Sequence, residues 1–283
     1  MNTPVAAHHP ALGLRAAGRL LAACLRRDAA IAASYRIAFF APLLSVCFAV
    51  PILYFLSQVF GPAQAPSLGA YGGGFFAFIL LGMAFQDYVT VSMSNFLSGI
   101  REHQLMGTLE IVMLSPTPMP LVLLFSSAWG FLFTSIRFAL YVALGLLFGM
   151  DLSGANLGSF AVLTLLAIVS FSALGILGAA ATLVIKQGAS ITGFLTALTL
   201  ALGGVAYPVS VLPGWLQALA ALLPFTHALE GVRKALLAGA GLAQLHTELL
   251  VLAAFGALLF PLSLWVFQRA VQHVKATGTL GQY

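Results

Sequence analysis

Charged side chains are scarce in this 283-residue chain. They make up 7% of it, with 12 Lys and Arg against 7 Asp and Glu, whereas 61% of the residues are hydrophobic. A soluble globular domain could not cover its surface with so few charges. The composition therefore excludes a soluble globule and predicts an all-α polytopic membrane protein.

Motifs of several enzyme and binding classes are also missing. The spacing of Cys24 and Cys47 fits neither a zinc site nor an obvious disulfide. Gly72-Gly73-Gly74 lacks the lysine and hydroxyl residue that complete a phosphate-binding Walker loop. No close acidic pair lies at either membrane face, as a lipid-modifying membrane enzyme would need. We therefore expect no metal site, no bound cofactor and no enzymatic activity in this chain.

Long apolar runs predict about six transmembrane helices, at roughly 20 residues per span. The runs lie at about 36–60, 73–97, 119–150, 157–185, 189–207 and 249–267. Basic residues concentrate before the first run, in two later loops and after the last run. By the positive-inside rule this places both termini in the cytoplasm, so the excess positive charge reflects topology and not nucleic-acid binding.

The same pattern divides the chain into three parts. Residues 1–35 form a cytoplasmic N-terminus, in which arginines and leucines of 11–34 occupy separate helical faces. Such a helix lies along the membrane surface, although a solvated helical linker is the alternative. Residues 36–268 form the transmembrane domain, and residues 269–283 a cytoplasmic tail.

The second apolar run carries a polar stripe at four-residue spacing, which must face protein or a water-filled path. The fifth run is dotted with threonines. The candidate path residues are Gln86, Asp87, Thr90, Ser94, Asn95, Thr192, Thr196 and Thr199.

Asp87 is costly inside a span and needs a partner or water. Three roles stay open: a structural ion pair or buried hydrogen bond, a place along a substrate path, or proton coupling. Counting about 1.5 Å per residue from the inner ends puts Asp87 at roughly half depth and Arg137 nearer the outer face. Direct contact between them would need snorkelling or shifted helices.

A compact polar segment follows the second run and is closed by prolines at 116, 118 and 120. A helix at about 101–115 would have an apolar side to grip a groove and polar ends to fix its register. An ordinary loop helix without a partner is the alternative. The candidate docking residues are Arg101, Glu102, His103, Leu105, Gly107, Thr108, Leu109 and Glu110.

Prolines also divide residues 208–240 into short helices. Neither helix is long enough to span, so we expect re-entrant helices at the outer face. Glu230 and Arg233 stand at i and i+3, a common helix pair, and His227 alone supplies too few ligands for zinc.

Three features together resemble the membrane subunit of type-2 ATP-binding-cassette (ABC) transporters. They are the surface helix, the segment Gly107-Thr108-Leu109-Glu110 with Ser115-Pro116, and the run from Tyr207-Pro208 to Arg233. The resemblance implies that 101–115 is a coupling helix that docks on a separate ATPase, which binds ATP and Mg. It also implies two permease copies around a path lined by the second and fifth spans. It assigns the outer gate to the region of Tyr207, Pro208, Pro213, Trp215, Pro224, Glu230 and Arg233.

From this resemblance we expect a permease of the plasma (inner) membrane that exports an amphipathic or lipid-like molecule, such as a drug, antibiotic or lipid. We expect a homodimer with an ABC ATPase as partner. An exporter of lipid-linked polysaccharide is the alternative, and a secondary transporter or a polytopic membrane enzyme is more remote.

Overall fold

The computed structural model describes residues 14–60, 74–105, 119–185 and 188–277. These ranges form helices joined by turns and contain no strand, which confirms the all-α prediction for them. The helices are α1 Leu14–Ser34, α2 Arg36–Phe60, α3 Phe75–Leu105, α4 Met119–Leu147, α5 Leu157–Ile185, α6 Gly188–Leu202, α7 Gly214–Ala221, α8 Pro224–Leu237 and α9 His246–Thr277, with a 3-10 helix at Val209–Val211.

Five helices in the described ranges are long and apolar enough to cross a membrane. They are α2, α3, α4, α5 and α9. The predicted fifth span, 189–207, corresponds instead to α6, which has 15 residues and ends at Leu202. At 1.5 Å per residue α6 is about 22 Å long, shorter than the hydrocarbon core.

The central helix of the bundle is α3, which contacts α2, α4, α5, α6 and α8. Its Leu80, Phe85 and Tyr88 are buried, and Phe85 packs against Phe171 of α5 and Phe225 of α8. By contrast, α2 and α9 expose large apolar side chains along their length. These two helices therefore present apolar surface to lipid or to another chain.

Helices α3 and α4 run antiparallel with a constant register. Asp87 contacts Arg137, and further along α3 a side chain on Gly130 of α4 would collide with Asn95. Near the end of α3, Gly99 approaches Leu123. Each step along α3 is thus matched by a step backwards along α4.

The start of α2 lies level with the interior of α4, so α3 and α4 extend beyond the start of α2. Phe39, near the start of α2, packs against Phe133 of α4 with ring centroids 5.1 Å apart. The start of α2 is therefore level with about residue 130, and the first ten or so residues of α4 project roughly 15 Å past it. The last ten residues of α3 accompany them. We call this the α1 end, because α1 packs on α4 there.

The segment before α9 is broken by Pro208, Pro213 and Pro224, which precede the 3-10 helix, precede α7 and begin α8. Helix α7 has 8 residues and α8 has 14, so both are too short to span, as the sequence predicted. They differ in burial. In α8, Phe225, Leu229 and Val232 are at most 1% exposed, whereas Ala220 is the only buried residue of α7.

Candidate functional site

One face of α3 is polar and exposed. Thr90, Ser94 and Ser98 are exposed at four-residue spacing, and the side chain of Asp87, three residues before Thr90, is 21% exposed. The hydroxyls of Thr90 and Ser94 donate to helix carbonyls one turn earlier, which makes them tolerable in lipid. Asp87 has no such local solution, so this face needs protein or water beside it.

Asp87 finds a partner across the helix interface. Its Oδ2 lies 3.0 Å from Nη2 of Arg137, and the Arg137 side chain is 17% exposed. The two residues are level because α3 continues to Leu105, whereas α4 begins at Met119 as predicted. The second run was predicted to end at 97, and this difference accounts for the predicted offset in level between Asp87 and Arg137.

Gln86 lies at the edge of the polar face opposite to Asp87, and it is buried. Its Nε2 donates to Oγ1 of Thr199 at 2.9 Å, and Thr199 donates to the carbonyl of Thr196. Gln86 is 8% and Thr199 5% exposed. In the single chain these two residues join α3 to α6. They are not part of the exposed polar face, which consists of Thr90, Ser94 and Ser98.

The other candidate path residues are less accessible than Thr90. Asn95 and Thr196 are half-buried, and Asn95 fills the space left by Gly130. Only the backbone of Thr192 is described, as part of α6.

Arg233 of α8 is the most deeply buried charged residue in the described chain, at 2% exposure. Its guanidinium donates to the carbonyls of Phe78 at 2.8 Å, Gly204 at 2.7 Å and Val205 at 2.8 Å. It also lies 3.4 Å from the centre of the Phe78 ring. These contacts join α8 to α3 and to the turn that ends α6, where α6 leaves carbonyls without helical donors.

The fit of Arg233 depends on Gly82. A Cβ at Gly82 would lie 2.6 Å from Nη2 of Arg233 and would collide with the carbonyl of Val205. Next to it, Gly204 adopts a φ of +78°, which glycine accommodates without strain. The sequence singled out Arg233, but gave no signal that Gly82 and Gly204 build its binding site.

Glu230 belongs to an ion-pair group at the end of the bundle opposite the α1 end. Nζ of Lys234 lies 3.3 Å from Glu230 and 2.7 Å from Glu248 of α9. Burial lowers the pKa of Lys234, but the bond to Glu248 and the charges of both glutamates outweigh it, so the pKa is raised. The sequence analysis missed Lys234 and Glu248. The i,i+4 spacing from Glu230 could have found Lys234, but a contact between α8 and α9 cannot be read from spacing alone.

The remaining gate candidates lie around the turns before α7 and α8. The hydroxyl of Tyr207 donates to the carbonyl of Ala201, and Gln217 of α7 donates to the carbonyl of Leu212 at 2.8 Å. Trp215 is 67% exposed. His227 bonds the carbonyl of Ala221, and among the described residues no group of three His, Cys, Asp or Glu could hold a metal ion.

The candidate docking segment begins as the last turn of α3. Arg101 and Glu102 are exposed there, and only the backbone of His103 and Leu105 is described. Gly107, Thr108, Leu109 and Glu110 lie outside the described residues. Arg27 of α1 is nearby: a hydrogen bond to Asp28 mainly raises its pKa, and the charge of Glu102 adds to the effect. Helix α1 packs on α4, so α1 and the end of α3 both lie at the α1 end of the bundle.

A comparison with protein families gives one relevant match. The model of the family described as ABC-2 type transporter matches residues 19–237. The matched stretch runs from within α1 to the end of α8 and includes the polar face of α3, Arg137 and Arg233. No curated protein matches the chain at a significant level.

Proposed function

The chain belongs to the ABC-2 type transporter family, and from this we propose that it is the permease subunit of an ATP-driven exporter. Permeases of this family generally pair with an ATPase subunit. We place ATP and Mg on that partner and assign the membrane path to this chain. The observation that carries the proposal is the exposed polar face of α3 in a multi-pass membrane protein.

The path would run along that face. Thr90, Ser94 and the Asp87–Arg137 pair offer hydroxyls and a neutralised ion pair to water or substrate. A second copy would close the path opposite α3, since a closed two-fold arrangement is the usual one for identical subunits. A path with apolar and hydroxyl lining suits an amphipathic or lipid-like substrate such as a drug, antibiotic or lipid.

The ATPase would dock at the α1 end. Arg101 and Glu102 stand at the tip of α3, and Arg27 lies close enough to sense the charge of Glu102. A partner that grips the segment 101–115 would also touch α1. We therefore propose that the α1 end, with both termini, is on the cytoplasmic side of the inner membrane.

The sixth crossing would be made in pieces. Helix α6 is too short alone, and the turn that follows it, whose Gly204 and Val205 carbonyls Arg233 binds, would extend it towards the outer face. Irregular backbone at membrane depth is tolerated where protein covers it. Helices α7 and α8 would then form the re-entrant outer gate, which Arg233 anchors to α3.

The test is recovery of a nucleotide-hydrolysing subunit with the tagged chain in mild detergent from its native membranes. We expect one ATPase per permease, and we expect Glu102→Arg with Glu110→Arg to reduce that recovery while the permease still inserts. Repeated recovery of the intact chain alone, even after cross-linking, would instead favour a self-sufficient carrier or membrane enzyme.

A further inference from the structure

A cavity of about 410 Å³ lies where α1, α2 and α4 meet, away from the polar face of α3. Its aromatic walls are Tyr35, Phe39, Trp129 and Phe133, and Asp28 of α1 reaches its edge. None of the described residues assigned to the path, the gate or the docking segment lines it. The volume is within the range of small-molecule binding sites.

The cavity lies where α1 ends and the apolar helix α2 begins. Tyr35 separates surface helix α1 from α2, and the next apolar residues, Ile37 and Phe40, are 86% and 59% exposed. Trp and Tyr side chains favour the boundary between headgroups and hydrocarbon. Tyr35 itself is 68% exposed at the rim, so lipid can reach the cavity from the side.

Two opposite charges stand side by side at this edge. Arg27 Nε lies 2.8 Å from Oδ1 of Asp28, and the side chains are 57% and 14% exposed respectively. The Arg27 side chain is more than half exposed, and a guanidinium suits a phosphate. Asp28 lines the cavity together with the four aromatic side chains, and a carboxylate with aromatic rings suits an ammonium group.

We propose that this cavity binds a phospholipid with a zwitterionic, ammonium-bearing headgroup. Arg27 holds the phosphate, Asp28 and the aromatic rings hold the ammonium, and the exposed apolar start of α2 receives the acyl chains. An anionic lipid without an ammonium group would leave its headgroup against Asp28. The bound lipid joins α1 to α2 and α4, and so steadies the surface helix against the bundle.

The test uses Trp129 as the reporter. The full-length Trp215→Phe/Trp265→Phe protein retains Trp129 as its single tryptophan. It is reconstituted in phosphatidylglycerol vesicles with increasing fractions of a phosphatidylcholine that carries a nitroxide on its headgroup ammonium. We expect quenching to saturate at a low labelled fraction, and Asp28→Asn to raise the half-quenching fraction about fivefold.

Asp151→Asn is the matched control, because Asp151 is an exposed acid in the described chain far from the cavity, and it should leave the curve unchanged. Coincident curves for the parent and Asp28→Asn would overturn the proposal, since quenching would then follow bulk lipid alone.

Competition tests the same point without a pocket variant. Unlabelled phosphatidylethanolamine should restore Trp129 fluorescence in a host that already contains anionic lipid in excess. A trimethylammonium detergent, below its solubilising concentration, should compete much less because it lacks the phosphate. Equal competition by that detergent would overturn the assignment to a phospholipid, and no competition by phosphatidylethanolamine would overturn the site.

Discussion

Asp87 and Arg137 form an ion pair, 3.0 Å between Oδ2 and Nη2, across the interface of two helices that are both long enough to cross the membrane. Each charge is mostly shielded from solvent by the chain. Removing one partner leaves the other in a poorly solvating environment, which costs more than the pair itself contributes.

We therefore expect Asp87→Asn and Arg137→Gln each to lower the free energy of unfolding by about 1–3 kcal/mol. The double variant should lose less than the sum of the two single variants, because neither charge is then left alone. Thermal unfolding in detergent completes this double-mutant cycle. Strictly additive losses would argue against a coupled pair.

Gly82→Ala should displace Arg233, since the new Cβ would collide with its guanidinium and with the Val205 carbonyl. We expect a loss of about 1–3 kcal/mol in stability. Gly178→Ala in α5 is the matched control, because no atom lies within 4 Å of the position of its Cβ. That variant should be neutral or slightly stabilising, and equal effects of the two would show that Gly82 is not a packing requirement.

Arg233→Lys retains the charge but not the fork of donors that reaches three carbonyls in two segments. Lys cannot satisfy all three, so we expect a loss of about 2–3 kcal/mol, measured by thermal unfolding. Lys234→Arg retains the partly exposed ion pair with Glu230, and its free energy of unfolding should stay within about 0.5 kcal/mol of the wild type. If Arg233→Lys is as stable as the wild type, then the positive charge of Arg233, and not its fork of donors, is what stabilises the fold.

Cysteine labelling tests whether water reaches the polar face of α3. In a protein without Cys24 and Cys47, Thr90→Cys and Ser94→Cys should react with a charged thiol reagent in native membranes. Ser92→Cys should not react, because Ser92 is fully buried. A lipid-facing control is Phe48→Cys on α2, where a charged reagent has no access to an exposed site. Labelling of Thr90→Cys no faster than that of Phe48→Cys would place this face of α3 against lipid.

Charge reversal at Glu102 should reduce co-purification of the ATPase about threefold or more, because rim charges fix register and steer docking. Asp151→Arg provides the control, since Asp151 is also an exposed acid but lies in the loop before α5. Membrane insertion of both variants is measured by protease protection of the tag. Equal recovery of the ATPase with both variants would show that Glu102 does not contribute to docking.

The long helices were predictable from the sequence because the apolar content of a span is a local property. Helices α2 and α5 begin and end where their apolar runs do. The extent of α3 was not predictable in this way, because its last turns are polar and continue the same helix beyond its apolar run. The predicted offset between Asp87 and Arg137 came from that extension, because Asp87 was counted from 97 and not from Leu105.

Long-range contacts account for the rest. Arg233 reaches carbonyls on two other segments, and Lys234 joins Glu248 of α9. Both of these contacts depend on how α8 packs against α3 and α9. Likewise, Gln86 and Thr199 were predicted as separate members of a path, and only the packing of α3 on α6 brings them together.

The register between α3 and α4 makes this hairpin a single lever. The two helices are joined by an ion pair in the middle and by interlocking of Gly130 with Asn95 lower down, so one cannot slide along the other without breaking both. At one end, both helices project roughly 15 Å beyond the start of α2, and at the other end they run through the bundle. A tilt of about 10° at the start of α2 would move the far end by roughly 5 Å, close to one helical turn. A small displacement of the projecting end would therefore produce a larger displacement at the opposite end of α3, which carries the Phe78 carbonyl that Arg233 binds.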